Sequence, residues 1–168
     1  MVRNAFIRVP HSARDLRRAR RGSAALEFAI AGPVLLLLIF AVVENGLMLF
    51  TQSMIENATR DASRQIMIGT VRNSTDFRTA LCNDVGRLLD CTKLQFYVQS
   101  SSAFPAAITS PSSTGSFGTT TFASGSGGQF VLVEVAYDRA YISPWLIGIA
   151  PHGWVLFSTQ AIRNEPFS

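Results

Sequence analysis

The most regular pattern in this sequence is a long apolar run near the amino terminus. Sixteen consecutive residues, 28–43, carry no charged side chain, and apolar residues resume at 47–50 after a short polar interruption. With a rise of about 1.5 Å per residue, a helix over residues 26–50 would extend roughly 37 Å, whereas the hydrocarbon core of a bilayer is about 30 Å thick. The run therefore predicts a transmembrane helix over residues 23–50.

Helical periodicity continues beyond this run. The apolar positions that recur at helical spacing are Leu47, Phe50, Met54, Ala58, Ala62 and Ile66, and the polar ones opposite them are Gln52, Glu56, Arg60 and Arg64. A stripe of this kind usually buries one face of a helix. We therefore expect an amphipathic extension that packs on an external domain, with one long helix over residues 23–68 and Gly69 as its stop.

The remainder predicts one short helix and three strands. Residues 74–89 place Phe77, Leu81, Val85, Leu88 and Leu89 on one helix face, with Ser74 or Thr75 as the cap. The segments 93–99, 130–137 and 154–162 are rich in aromatic and β-branched residues, which favours strands. The expected fold class is α+β: a long N-terminal helix, half transmembrane and half amphipathic, packed on a small, mainly antiparallel three-stranded sheet.

Two segments fit no regular element. Residues 100–128 are rich in Ser, Thr and Gly and predict an irregular connector, whose Phe104, Phe117 and Phe122 would dock on the sheet or on another subunit. Residues 142–149 are apolar but too short to cross a bilayer. We expect them to form a short helix or turn that caps the core.

Charge predicts the orientation of the chain. Residues 1–22 carry seven arginines against one aspartate, a local charge of +6, although the whole chain is only +4. Arginines beside a membrane helix mark its cytoplasmic side. Because they then serve as a topology signal, we expect no nucleic-acid partner. The predicted domains are a basic cytoplasmic leader at 1–22, a transmembrane helix at 23–50 and an extracytoplasmic domain at 51–168.

Two carboxylates flank the uncharged run, and a proline lies inside it. Charge is costly within a bilayer, so Glu27 and Glu44 either mark the interfacial ends of the helix or serve a function. Pro33 would either bend the helix or be accommodated by its neighbours.

The sequence contains little that points to chemistry. Cys82 and Cys91 are its only cysteines, and in an oxidising compartment they would close a disulfide loop rather than a C-x-x-C redox site. The two histidines, His11 and His152, do not complete a metal set, and no nucleophile, phosphate-binding or metalloprotease motif occurs. We therefore expect no catalytic residue, metal, cofactor or enzymatic activity.

The start of the apolar run resembles a known processing site. A basic leader ends in Gly22 and is followed by Ser23, three small or apolar residues, Glu27, Phe28 and the apolar helix. This arrangement is similar to that of the type IV pilin superfamily. Within it, residues 22–29, Pro33, residues 58–64 and residues 163–167 resemble the TadE-like pseudopilins of tight-adherence pili.

The resemblance implies specific partners. A prepilin peptidase would cut the Gly22–Ser23 bond on the cytoplasmic side, and Glu27, followed by Phe28, would be the assembly carboxylate that attracts the new amine of a neighbouring subunit. Other pilin and pseudopilin subunits and the pilus assembly platform in the bacterial inner membrane would be the remaining partners. The outer domain would be periplasmic, with the subunit at the tip, at the base or along the pilus.

One alternative requires no processing. The chain would then be an uncleaved single-span envelope protein with an extracytoplasmic binding domain. Ordinary signal cleavage is not expected, because no small-x-small site follows the apolar run. The mature N-terminus distinguishes the two interpretations.

Overall fold

The structure, a computed structural model, describes residues 13–103, 108–143, 148 and 153–166, and for residues 13–23 and 87 the backbone alone. The chain divides into two compact units, Met1–Val42 and Val43–Ser168. Helix α1, Ala13–Met67, continues through Pro33 and supplies the described part of the first unit and the first element of the second.

The second unit adds one helix and a sheet to α1. Helix α2 is Ser74–Val85, followed by the 3₁₀ turns Gly86–Leu88 and Cys91–Lys93. The strands are β1 (Leu94–Ser101), β2 (Phe130–Arg139) and β3 (Trp154–Arg163). They form one antiparallel sheet in the order β1-β2-β3. The predicted α+β architecture is confirmed.

The ends of the helices follow their local sequence. Gly69 has φ +75° and follows the last turn of α1, as predicted for a stop. The amide of Asp76 donates to the Asn73 side chain, so Asn73 is the cap of α2 and the predicted Ser74 or Thr75 cap is wrong. Helix α2 also ends earlier than residue 89, because Gly86 at φ +62° closes it and its backbone N–H donates a hydrogen bond to the Cys82 carbonyl.

The buried face of α1 is rotated relative to the predicted one. Ala58, Ala62 and Ile66 are buried as expected, but Leu47 and Phe50 are exposed, Phe50 by 56%. The buried line runs through Glu44, Thr51, Ile55, Ala58, Thr59, Ala62 and Ile66. The prediction failed here because it assigned apolar residues to the interior, whereas the domain buries polar side chains that have hydrogen-bond partners.

The hydrophobic core lies between the helices and one face of the sheet. Its largest buried side chains are Phe77, Phe96, Ile55, Ile66, Leu81 and Leu94. Phe77 contacts Phe96 edge to face at 5.1 Å between ring centroids. Leu88, predicted to join this face, is instead 71% exposed, because the chain leaves the helical path at Gly86.

The connector between β1 and β2 folds back onto the sheet. Phe122 forms an isolated parallel bridge with Val98, and its ring lies 5.6 Å from that of Phe77. Phe117 contacts Tyr97 and Phe157 on the other face. These two aromatics therefore dock on the sheet of their own chain. Phe104, and the predicted cap at 142–149 except for residues 142, 143 and 148, lie outside the described residues.

Candidate functional site

The residues of the predicted processing and assembly site lie on the first unit of the chain. The backbone of Gly22 and Ser23 is helical, within α1. Glu27 and Phe28 follow on the same helix, and both side chains are exposed, Phe28 by 77%. A carboxylate and a large aromatic side chain are thus consecutive and exposed on the helix.

The helix that carries them is apolar on all described sides. Its exposed large side chains from position 30 onward in this unit are Ile30, Val34, Leu35, Leu36, Leu37, Leu38, Ile39, Phe40 and Val42. The most apolar stretch of the helix Ala24–Met67 is not buried by the rest of the protein. By length and composition, this helix suffices to cross a membrane. So large an apolar surface needs a lipid or protein partner.

Glu44 is the polar centre of a second site, in the unit Val43–Ser168. Its carboxylate is buried and accepts hydrogen bonds from the amide of Ile142, at 3.2 and 3.3 Å, and from the amide and hydroxyl of Ser143, at 3.2 and 3.1 Å. Hydrogen bonds to a charged acceptor are stronger than neutral ones. Glu44 therefore holds the segment after β2 against α1, and we call this set of contacts the Glu44 lock.

A second polar contact lies two turns further along α1. The hydroxyl of Thr51 donates to the Leu47 carbonyl at 2.8 Å and accepts from Nη1 of Arg139, the last residue of β2, at 2.9 Å. The guanidinium is thereby held against the helix. Its other donors have no further protein acceptor among the residues that the structure describes.

A disulfide closes the loop between α2 and the 3₁₀ turn that precedes β1. Cys82 and Cys91 are bonded, with Cα atoms 5.9 Å apart. The loop that they close contains the exposed Leu88 and the partly buried Leu89. The amide of Asp90, next in the chain, donates to the Tyr137 hydroxyl of β2 at 3.3 Å.

The remaining titratable groups do not converge on a reaction centre. Hydrogen bonds from Thr92 lower the pKa of Asp90, and partial burial together with the nearby Asp61 raises that of Asp84. Burial raises the pKa of Glu134, although the Thr109 amide donates to its carboxylate at 2.8 Å. Across the described ranges, no three His, Cys, Asp or Glu side chains are close enough to bind a metal.

The comparison with protein families concerns the apolar helix. The model described as "TadE-like protein" matches residues 22–64. This segment is TadE-like. The match begins at Gly22, includes Glu27, Phe28 and Glu44, and ends within the part of α1 that packs on the sheet.

The TadE-like match gives the function in outline. It agrees with the expected family resemblance and suggests a Tad pilus-associated protein with an N-terminal apolar helix. Pilus components of this kind are structural and interact with other pilus subunits. The single apolar helix fits a single-pass membrane protein. No curated protein and no solved structure matches the chain.

The Glu44 lock and the contact between Thr51 and Arg139 were not predicted. The sequence leaves open whether Glu44 marks a helix end or serves a function, and its hydrogen-bond partners lie 98 and 99 residues away. The sequence did contain an indication of this contact, because Glu44 lies on the same helix face as Thr51 and Ile55, seven residues before Thr51. Recognising it would have required treating a charged residue as part of the buried stripe.

Proposed function

We propose that the chain is a minor pseudopilin or assembly component of a tight-adherence pilus. The observation that carries this proposal is the match of the TadE-like model from Gly22 onward, together with the exposed apolar helix that follows. The outer domain would be periplasmic, residues 1–22 would form a cytoplasmic leader, and residues 23–50 would span the inner membrane.

In this proposal a prepilin peptidase cuts the peptide bond between Gly22 and Ser23. Cleavage creates a free amine at Ser23 and removes seven arginines, whose charge would otherwise retain the helix in the membrane. Glu27 becomes the fifth residue of the mature chain. Its carboxylate then attracts the amine of a neighbouring subunit, an interaction that is strong in apolar surroundings.

The apolar helix would act in two stages. Its exposed side chains first face lipid, and after cleavage they pack against the helices of neighbouring pilin and pseudopilin subunits at the assembly platform. The same surface serves both partners, because both present hydrocarbon. Glu27 adds a specific axial register that apolar contacts alone do not supply.

Amino-terminal sequencing of protein purified from cells with active peptidase tests the processing step. The proposal expects a sequence beginning Ser-Ala-Ala-Leu-Glu, and Gly22→Val is expected to abolish the cut while membrane insertion continues. An intact Met1 would favour the uncleaved single-span envelope protein with an extracytoplasmic binding domain.

The assembly role of Glu27 needs a matched pair of variants. Glu27→Ala is expected to leave cleavage intact and to reduce recovery of the subunit with purified pili. Glu56→Ala removes another exposed carboxylate from the same helix, beyond the uncharged run, and is expected to leave recovery unchanged. Equal recovery of both variants would remove Glu27 from the proposal.

A further inference from the structure

A groove lies beside α1 within the unit Val43–Ser168. It has a volume of about 210 Å³ and is lined by Leu47, Phe50 and Met54 of α1, by Leu88 of the disulfide loop, and by Arg139 and Ile142. We call it the junction groove. All of its walls belong to the unit Val43–Ser168.

Each wall of the junction groove is held by a contact already described. The Glu44 lock fixes Ile142, the Cys82–Cys91 bond closes the loop that carries Leu88, and Thr51 binds the Arg139 guanidinium. The groove is therefore a built feature rather than a gap between loose segments.

The rim of the groove is apolar and exposed. Leu47, Phe50, Leu88 and Ile142 are all exposed large apolar side chains. On α1 these positions continue the exposed apolar surface of the preceding run, since Leu49 is exposed as well. Apolar side chains left in contact with water at such a rim indicate a missing apolar partner.

A positive charge lies in the groove. Among the lining residues that the structure describes, Arg139 alone is charged, and its guanidinium is held beside Thr51, one residue after Phe50. Where an apolar helix surface ends, lipid headgroups begin. A planar guanidinium fork matches the geometry of a phosphate group.

We propose that the junction groove binds one phospholipid, with part of an acyl chain between Phe50, Leu88 and Ile142 and the phosphate on Arg139. The groove is smaller than the roughly 300–1,000 Å³ of sites that enclose a whole small molecule, so the rest of the lipid stays in the bilayer. The inference rests on the proposed membrane span of α1.

Native mass spectrometry of the full-length protein in detergent micelles, titrated with phosphatidylglycerol, tests the proposal. We expect one bound lipid per chain, and Arg139→Gln should weaken binding about tenfold, as expected for the loss of one charge-assisted pair. Leu88→Gln should also weaken binding, and its exposed position leaves folding intact. Glycerol phosphate, which has the anion but no acyl chain, should not bind.

Two control variants match these changes. Arg163→Gln removes the same charge from the opposite end of the sheet, about 30 Å away at roughly 3.3 Å per residue along a strand. Ile108→Gln alters an exposed apolar residue outside the groove. Both are expected to bind lipid like the unaltered protein.

The outcomes separate the two proposals. If the protein stays in membranes after alkaline carbonate extraction but Arg139→Gln and Leu88→Gln bind lipid as tightly as the controls do, the junction groove is not a lipid site. A protein dimer that Leu88→Gln dissociates, with no bound lipid, would assign the groove to a second copy. Release by carbonate would instead contradict the proposed membrane span.

Discussion

Oε2 of Glu44 accepts hydrogen bonds from both the amide and the hydroxyl of Ser143, at 3.2 and 3.1 Å, across 99 residues of sequence. A carboxylate that would be costly in lipid is thus satisfied by protein donors within the unit Val43–Ser168. The same carboxylate also accepts from the amide of Ile142, which lines the junction groove.

Removing the carboxylate should destabilise the domain. Glu44→Ala leaves the buried Ser143 amide and the Ile142 amide without their acceptor, and one unsatisfied buried donor costs about 1–3 kcal/mol. We expect the free energy of unfolding to fall by at least about 2 kcal/mol in urea titrations of the purified protein. Ser143→Ala removes only the hydroxyl bond, so its cost should be about 1 kcal/mol. Equal stabilities of Glu44→Ala and the unaltered protein would contradict a structural role for the lock.

Removing the disulfide should lower the free energy of unfolding by a similar amount. The cysteines are nine residues apart, and the chain-entropy model gives about 2.7 kcal/mol for a loop of this size. The double variant Cys82→Ser, Cys91→Ser should therefore unfold at a lower temperature than the unaltered protein. Adding reductant should lower the melting temperature of the unaltered protein and leave that of the double variant in place. A melting temperature that reductant does not change would contradict this prediction.

Glu134 should make stability depend on pH. Burial raises the pKa of this carboxyl in the folded protein above its ordinary value of about 4.5. Its stabilising contribution is therefore complete below that ordinary value and is lost as pH rises through the raised one.

Glu134→Gln isolates this contribution. The glutamine can still accept from the Thr109 amide but carries no charge, so the variant should melt at a higher temperature than the unaltered protein near neutral pH. The difference should close as the pH falls below about 4, where the glutamate becomes neutral in both the folded and the unfolded chain. Asp84 and Asp90 titrate in both proteins and cancel in the comparison. A difference that stays constant with pH would be inconsistent with a raised pKa.

Asn164 should be intolerant of an acidic replacement. It is buried after β3, and its side-chain amide donates to the carbonyls of Ser124 and Ser126 at 2.7 and 3.1 Å. Asn164→Ala should cost about 1–3 kcal/mol, and Asn164→Asp should cost more because a carboxylate would face two carbonyl oxygens. Thermal unfolding measures both, with the exposed Asn83→Asp as the control. An Asp variant as stable as the Ala variant would argue against these contacts.

Much of the fold follows from local patterns. The strand composition of residues 130–137 and 154–162 located β2 and β3 to within two residues, and Gly69 located the end of α1. These predictions succeeded because strand composition and a glycine stop depend on neighbouring residues. The cap of α2 was misplaced because Asn73 competes with Ser74 and Thr75, which cap almost equally well, and its end was misplaced because the apolar spacing runs on to Leu89, past Gly86.

The buried face of α1 and the contacts of the connector could not be obtained in the same way. Helical spacing fixes which residues share a face, but not which face the sheet covers. The apolar Leu47 and Phe50 were therefore predicted to be core residues, whereas the residues buried in the structure are Thr51 and Ile55. The docking of Phe117 and Phe122 on the sheet likewise depends on a chain path through a segment without periodicity.

The sequence by itself determined the apolar helix, its charge asymmetry, the order of the helices and strands, and the TadE-like start at Gly22, because each is encoded in neighbouring residues. Tertiary structure alone decided that Glu44 meets Ser143, that Thr51 holds Arg139, and that these contacts frame an apolar groove. The physical reason is that buried charges and hydroxyls require partners, and only the folded chain brings donors from distant segments within hydrogen-bonding distance.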